Sequence, residues 1–284
     1  MKEISLVLSG GGARGIAHIG VIKYLEANGY VIQNIAGTSM GAIVGAVYAS
    51  GKLNEFEKFL MDLDAKTIIK LVDFSITRPG IIEGKKIIHK LKEFLTCEKI
   101  EDLQKNYLCI ATDINNQKEI LWNKGNLLTA IHSSFAIPFI FDPVIENKKI
   151  LVDGGVVNNI PVNHVDRELL TIAVCANASV DINILPPEII NFKFQNNKNK
   201  KSTIKKYLNN LIGKKKDNSM PGYYEILDST LHIMIEQNSM NILKRYPPDY
   251  LIKIPRKIAG TFDFLKAKQL IRAGEYLAKV TMNS

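Results

Sequence analysis

The sequence predicts an α/β protein in which helices cover both faces of a largely parallel sheet. Short apolar runs that are typical of buried strands alternate along the chain with longer segments of helical periodicity. Glycine-rich turns separate the first two strands from the helices that follow them. Because alternating strands and helices are the pattern that builds parallel sheets, these observations favour one such sheet at the centre of the fold.

The elements follow in a regular order. The first strand is predicted at 4–8 and the first helix at 15–28, where Asn28 and Gly29 suit the left-handed end of a helix. A second strand ends near Gly37, and the next helix occupies about 39–50. Further helices are predicted at 53–64, 84–95, 127–135, 223–245 and 263–280, and further strands at 107–113, 118–122, 149–152, 170–175 and 250–254.

Composition indicates a globular protein of a reducing compartment. The chain has 284 residues, of which 46% are hydrophobic, so it is long enough to bury a substantial core. Its three cysteines are widely spaced and form no C-x-x-C pair, which argues against a disulfide framework and a zinc site. The N-terminus lacks the features of a signal peptide, and no apolar run approaches the roughly 18 residues of a membrane span. We therefore expect a cytoplasmic protein that is soluble or peripheral at the membrane.

Positive charge is concentrated in residues 190–216. This segment holds nine lysines and no acidic residue, and without it the chain has as many basic as acidic residues. A solvated, mobile insert over about 190–218 is one interpretation, and a contact of the 190–216 lysines with anionic membrane lipid is another. Nucleic-acid binding is not expected, because only Phe192, Phe194 and Tyr207 interleave with the lysines.

The first turn is a glycine-rich loop, Gly10–Gly15, between a strand and a helix. Its backbone N–H groups and the helix N-terminus are suited to bind an anion. The loop also matches G-x-G-x-x-G, the dinucleotide fingerprint, and a purely structural turn is a further interpretation. Dinucleotide binding requires an acidic residue after the second strand, but residues 36–39 are Ala, Gly, Thr and Ser. The dinucleotide interpretation is therefore disfavoured.

The second turn reads G-x-S-x-G, from Gly37 through Ser39 to Gly41. Between a strand and a helix this is the pattern of a nucleophile elbow, in which the glycines permit a sharp turn that presents the serine oxygen. A serine that only caps the helix is the alternative. The strand–turn–helix context favours a nucleophile.

A nucleophilic serine requires a base. The chain has five histidines, but His18 and His89 fall inside predicted helices with no obvious acidic partner. Asp153 follows the predicted strand 149–152 and precedes two glycines, so its carboxylate is expected at a strand end, where sites of open α/β sheets lie. A solvated loop aspartate is the alternative.

Taken together, the three motifs resemble those of the patatin-like phospholipases, which carry a glycine loop, G-x-S-x-G and D-G-[GA] in this order. Residues 133–138 and 158–161 are also similar to blocks of that family, and the likeness extends over about 4–175. The resemblance implies a three-layer α/β/α sandwich over 1–284 as a single catalytic domain. It also implies a Ser39–Asp153 dyad and an oxyanion hole formed by the loop, with these members: Gly10, Gly11, Gly12, Arg14 and Gly15.

The activity implied by this resemblance is hydrolysis of acyl esters of (lyso)phospholipids or related lipids through an acyl-enzyme, without metal or cofactor. Two alternatives remain open at this stage. One is an acyltransferase, although transferases of similar fold use a histidine partner. The other is a regulator that only binds lipid, against which the intact Ser39 and Asp153 argue.

Overall fold

The computed structural model describes residues 2–72, 82–192 and 223–283, with the backbone alone for 223–225 and 228. The lysines of the basic segment, 193–216, lie outside the described residues. Among the residues that are described, no helix is both long and apolar enough to cross a bilayer.

The centre of the fold is an eight-stranded sheet in the order β5-β6-β3-β2-β1-β7-β8, with β4 paired to β3. Strands β3, β2, β1, β7 and β8 pair with one another in parallel, whereas β4 and β6 pair antiparallel with β3 and β5 pairs antiparallel with β6. The prediction of a mostly parallel sheet is confirmed. The strands are β1 (Lys2–Leu8), β2 (Tyr30–Thr38), β3 (Asn106–Asp113), β4 (Lys118–Trp122), β5 (Val144–Glu146), β6 (Lys149–Asp153), β7 (Leu170–Ala178) and β8 (Tyr250–Pro255).

Nine α-helices are found within the described ranges, and they include each of the helices predicted from periodicity. The short β5, α4 and α7 had not been predicted, because three to seven residues are too few to show a period. The helices are α1 (Ala17–Ala27), α2 (Met40–Ala49), α3 (Leu53–Asp62), α4 (Ala65–Leu71), α5 (Lys85–Leu91), α6 (Leu127–Phe135), α7 (Pro187–Ile190), α8 (Tyr223–Arg245) and α9 (Ala267–Met282).

Two hydrophobic clusters, one on each face of the sheet, produce a three-layer α/β/α fold. Side chains alternate between faces along a strand. In β1, Leu6 and Leu8 accordingly pack with α1, α2 and α9, and Val7 packs with residues 160–165 and α8. Helices α1 and α9 cross in backbone contact, since a Cβ on Gly274 would lie 1.9 Å from the Ala17 carbonyl oxygen. The parallel strands at the centre of the sheet are therefore covered on both faces, as strands this apolar require.

The sheet register brings the ends of three strands to one place. Thr38 of β2 pairs with Ile110 of β3, and Asp153 of β6 pairs with the next residue, Ala111. The last residue of β1, Leu8, pairs with Gly37. Consequently Ser39, Asp153 and the glycine loop after β1 lie together at the carboxyl edge of the parallel strands, where ligands bind in such sheets.

Candidate active site

Ser39 stands on a sharp turn between β2 and α2. Its backbone has φ 54° and ψ −122°, a conformation that non-glycine residues rarely adopt. The turn is tight enough that a Cβ on Gly41 would lie 2.1 Å from the Leu8 carbonyl oxygen, and one on Gly37 would lie 2.6 Å from the Gly41 oxygen. The two glycines of the motif are thus required by backbone contact, and the strain at Ser39 is typical of a nucleophile elbow.

Asp153 is the hydrogen-bond partner of the Ser39 hydroxyl. Both residues are only 6% exposed. Burial raises the pKa of Asp153 from 3.8 to about 6, although the hydrogen bonds from Ser39 and from the Gly155 N–H act in the opposite direction. The Gly155 N–H donates to Asp153 Oδ1 at 2.7 Å and fixes the carboxylate. A buried carboxylate of raised pKa, bonded to a serine hydroxyl, has the properties of a general base.

Two further hydroxyl groups fix the backbone around this pair. The Ser39 N–H donates to Ser134 Oγ at 2.9 Å, so Ser134, at the end of α6, holds the strained turn. Thr112 Oγ1 of β3 donates to the Asp153 carbonyl oxygen at 3.0 Å. The sequence identified Ser134 only as part of a stretch similar to the family, since nothing in its spacing predicts a contact 95 residues away.

The glycine loop borders the same cavity as Ser39 and Asp153, but its members differ in role. The Gly10 N–H donates to the Asn159 carbonyl oxygen at 3.1 Å, so this donor is engaged within the protein. No acceptor among the described residues takes the N–H of Gly11 or Gly12. Gly12 has φ +56°, and a Cβ there would lie 2.5 Å from the Thr261 carbonyl oxygen, so only glycine suits this position.

The other two residues predicted for the oxyanion hole, Arg14 and Gly15, stabilise the conformation of the loop. The buried Arg14 guanidinium donates to the Ala259 carbonyl oxygen at 2.8 Å and ties the loop to the segment after β8. Gly15 gives room to Met40, because a Cβ at Gly15 would lie 2.5 Å from Met40 Cγ. Of the predicted oxyanion donors, the N–H groups of Gly11 and Gly12 are thus the ones that no described residue accepts.

The histidines occupy different environments, and all five lie within the described residues. His18 is fully buried behind the loop, where its Nε2 lies 2.8 Å from the Ser9 carbonyl oxygen and burial lowers its pKa to about 4. His164 contacts Glu119 at 2.7 Å, and His132 packs against a phenylalanine of α6. His89 is exposed on α5. His232 of α8, which the sequence gave no reason to select, lines a cavity together with Ser39.

Two cavities meet at Ser39. The larger, of about 170 Å³, is lined almost entirely by apolar side chains of α2 to α6 and of the segments that precede α9. The smaller, of about 50 Å³, has several polar lining residues and also reaches Asp153 and α8. Both cavities share Gly12, Ile137 and Thr261 with Ser39. The aromatic residues of the larger cavity are Phe56, Phe59, Phe135, Phe141, Phe262 and Phe264.

Metal ligands are not gathered at this site. In the three described ranges, no group of three or more His, Cys, Asp or Glu side chains is placed to hold a metal ion. The groups that the structure offers for chemistry beside Ser39 are a carboxylate, backbone N–H donors, amides and one imidazole.

Comparison with known proteins finds relatives that are described as NTE family proteins and as lysophospholipases. The chain is 40% identical over 179 residues to an "Uncharacterized NTE family protein" of Mycobacterium bovis, covering 62% of this chain and 50% of that protein. It is 30% identical over 178 residues to "Lysophospholipase nte1" of Aspergillus fumigatus, covering 57% of this chain and 11% of that protein. The chain thus spans half or less of the length of these relatives.

Among solved structures, VipD from Legionella pneumophila matches 99% of this chain and 67% of its own, with a TM-score of 0.47 and 16% identity. The model of the family described as "Patatin-like phospholipase" matches residues 6–166, more than half of the chain. This chain belongs to the patatin-like phospholipase family.

Proposed function

We propose that this protein is a serine acyl hydrolase that cleaves acyl esters of lysophospholipids or related lipids, with Ser39 as nucleophile and Asp153 as base. The hydrogen bond between the Ser39 hydroxyl and a buried carboxylate of raised pKa carries this proposal. Membership of the patatin-like phospholipase family and the name of the fungal relative, a lysophospholipase, support the choice of a lipid ester as substrate.

The proposed reaction passes through an acyl-enzyme. The Asp153 carboxylate accepts the Ser39 proton while Ser39 Oγ forms a bond to the ester carbonyl carbon. The carbonyl oxygen becomes an oxyanion, toward which the N–H groups of Gly11 and Gly12 donate; such donors are typically worth about 3–4 kcal/mol each. Asp153 returns the proton to the leaving alcohol as the ester bond breaks. A water molecule then gives a proton to Asp153 as its oxygen attacks the acyl carbon. The bond from that carbon to Ser39 Oγ breaks, Asp153 returns the proton to Ser39 Oγ, and the free acid leaves. No step requires a metal ion.

The larger cavity is suited to the acyl chain. It begins at Ser39 and is bordered by apolar side chains of five helices. Burying a methylene group is worth about 0.8 kcal/mol, so a chain of several carbons gains most of its binding energy on this side. An ester seated in this way places its alcohol in the smaller cavity.

A fluorophosphonate probe tests the nucleophile directly. We expect labelling of the wild-type protein at Ser39, found by peptide mapping, and hydrolysis of medium-chain esters that is insensitive to EDTA. Ser39→Ala should lose both properties, because the change removes the nucleophilic oxygen and no other atom of the site. Ser50→Ala, at the other end of α2, is the matched control and should retain both. Labelling at a different serine would remove Ser39 from the mechanism.

The identity of the base requires a second comparison. Asp153→Asn should lower kcat by at least about 100-fold, the usual contribution of a general base. His232→Gln and His164→Gln should each retain substantial activity, because the hydroxyl of Ser39 is bonded to Asp153. An inactive His232→Gln would instead assign the protein to the histidine-dependent acyl transferases and hydrolases.

We also propose that the lysines of residues 190–216 attract the protein to anionic membrane surfaces, where its lipid substrate resides. Nine positive charges without an acid support this, at about 1 kcal/mol for each lysine close to the surface. Substituting these lysines by glutamine, or deleting 195–217, should weaken binding to phosphatidylserine vesicles while a soluble ester is still hydrolysed. Substitution by arginine is the control that keeps the charge. Binding that is unaffected by the glutamine substitutions and by added salt would exclude this role.

A further inference from the structure

The smaller cavity beside Ser39 contains a buried amide whose role the proposed reaction leaves unexplained. Asn177 lies at the carboxyl end of β7 and is only 6% exposed. Its Oδ1 is buried and accepts no hydrogen bond from the described residues. A buried polar atom without a hydrogen-bond partner costs roughly 1–3 kcal/mol of folding free energy. The unpartnered amide oxygen of Asn177 therefore points to a ligand that donates the missing hydrogen bond.

The backbone around Asn177 is held rigidly against the glycine loop. The N–H of Ala176 donates to Ser9 Oγ at 2.8 Å, and Ser9 Oγ donates to the Gly10 carbonyl oxygen. A Cβ on Gly11 would lie 2.9 Å from the Ala176 Cβ. Asn177 is therefore fixed next to the donors that face the reacting carbonyl, and it lines the cavity that also contains Ser39 and Asp153.

The remaining lining of this cavity is suited to a polar group. Asn159, Thr261 and His232 border it together with Asn177. Helix α8, which supplies His232, is tied to this region by a hydrogen bond from Asn238 to the Val157 carbonyl oxygen. Since the acyl chain has an apolar cavity on the other side of Ser39, the polar cavity is left for the alcohol portion of the ester.

We propose that Asn177 binds a hydroxyl group of the leaving alcohol and makes the enzyme selective for esters of polyhydroxy alcohols, such as glycerol, over esters of simple alkanols. The inference rests on the proposed ester hydrolysis. An amide carries both a donor and an acceptor, so it can bind a hydroxyl in either orientation. A site built to hydrogen-bond a substrate hydroxyl discriminates against the analogue without it, because its buried polar group is then left unpaired.

Two esters of the same acid test the selectivity. We would measure kcat/KM for monooctanoyl glycerol and for ethyl octanoate, both as dissolved monomers, so that only the alcohol differs. The wild type should prefer the glycerol ester. In Asn177→Leu, which keeps the branching and the number of side-chain heavy atoms but no polar atom, kcat/KM for the glycerol ester should fall roughly tenfold, the size of one hydrogen bond. The value for the ethyl ester should stay within a factor of two.

The controls separate this role from others. Asn106→Ala removes an amide from the opposite end of the sheet and should leave both esters unchanged. Asn177→Ser is smaller and keeps one hydroxyl, so it should restore part of the preference, and it serves as the test variant if the leucine variant does not fold. Equal losses on both esters, or no loss on either, would overturn the inference about Asn177 while ester hydrolysis stands. A wild-type protein that hydrolyses neither ester and is not labelled at Ser39 would overturn the proposed function, and this inference with it.

Discussion

Replacing Asp153 by asparagine should destroy activity and yet stabilise the fold at neutral pH. The wild-type carboxylate is buried, and burial raises its pKa from 3.8 to about 6. The native protein therefore binds this proton more tightly than the unfolded chain does, which means that the ionised form opposes folding. Asparagine keeps the shape and can still accept the Gly155 hydrogen bond, but it carries no charge to desolvate.

The size and the pH range of this effect follow from the pKa values. Each pKa unit corresponds to about 1.4 kcal/mol, so the rise to about 6 corresponds to about 3 kcal/mol. Below the unfolded pKa of 3.8 both states are protonated and the native carboxyl group carries no penalty. The penalty grows as pH rises from about 4 and is complete above about 6. Asp153→Asn should consequently gain stability over the wild type across this interval, by about 3 kcal/mol at pH 8.

Urea unfolding of both proteins at pH 4.5 and pH 8 measures this difference. Any change in packing contributes equally at both pH values. The diagnostic quantity is therefore how much the difference in unfolding free energy between variant and wild type changes from pH 4.5 to pH 8. Asp113→Asn is the control, because hydrogen bonds from the side chain and backbone of Asn116 and from the Asn115 N–H lower the pKa of Asp113. The pH-dependent part of that stabilisation is lost only below the unfolded pKa of 3.8, so the stability difference for Asp113→Asn should be nearly the same at pH 4.5 and pH 8. A stability difference for Asp153→Asn that does not vary with pH would refute the reasoning.

Three further predictions concern activity and the turn. Because the ionised form of Asp153 is the base, kcat/KM should fall about tenfold per pH unit below about 6, and a midpoint near pH 4 would contradict the raised pKa. Ser134→Ala leaves the N–H of Ser39 without its acceptor, so kcat should fall roughly fivefold to thirtyfold with little change in KM, as steady-state kinetics would show. Gly41→Ala should prevent folding, since its Cβ would lie 2.1 Å from a carbonyl oxygen of β1, whereas Gly29→Ala, with φ +80° and open space, should cost only about 1 kcal/mol in thermal unfolding.

The sequence predicts the parts of the site that are local in the chain. The nucleophile motif spans only five residues, Gly37 to Gly41, so its glycines alone predict the sharp turn around Ser39. The glycine loop is equally local, and Asp153 is marked by the strand before it and the glycines after it. The alternation of strands and helices is likewise a short-range pattern, which is why the predicted elements agree with the structure.

Contacts between distant strands are what the sequence could not predict. Asn177 lies at the end of an apolar strand, and only the pairing of β7 with β1 brings it beside the loop. His232 sits on α8, a helix whose apolar residues do not reveal which side chain borders the cavity. The bond from Gly10 N–H to Asn159 is also long-range, and it removes one donor that the loop pattern alone would count. The short β5, α4 and α7 were missed because their existence depends on packing.

The backbone strain at Ser39 and the burial of Asp153 both oppose folding, so favourable packing elsewhere in the fold must offset them. A non-glycine residue at the backbone angles of Ser39 costs on the order of 1–3 kcal/mol, and the desolvated Asp153 costs about 3 kcal/mol above pH 6. Together these costs are a large fraction of the 5–15 kcal/mol that typically separates folded and unfolded states. They are tolerated because the surrounding packing is close: the buried end of β1 lies behind the turn, Gly154 lies against the Ile110 carbonyl oxygen, and α1 is in backbone contact with α9. Relaxing the turn would require these contacts to separate, so the geometry that activates Ser39 is maintained by the same packing that makes its glycines indispensable.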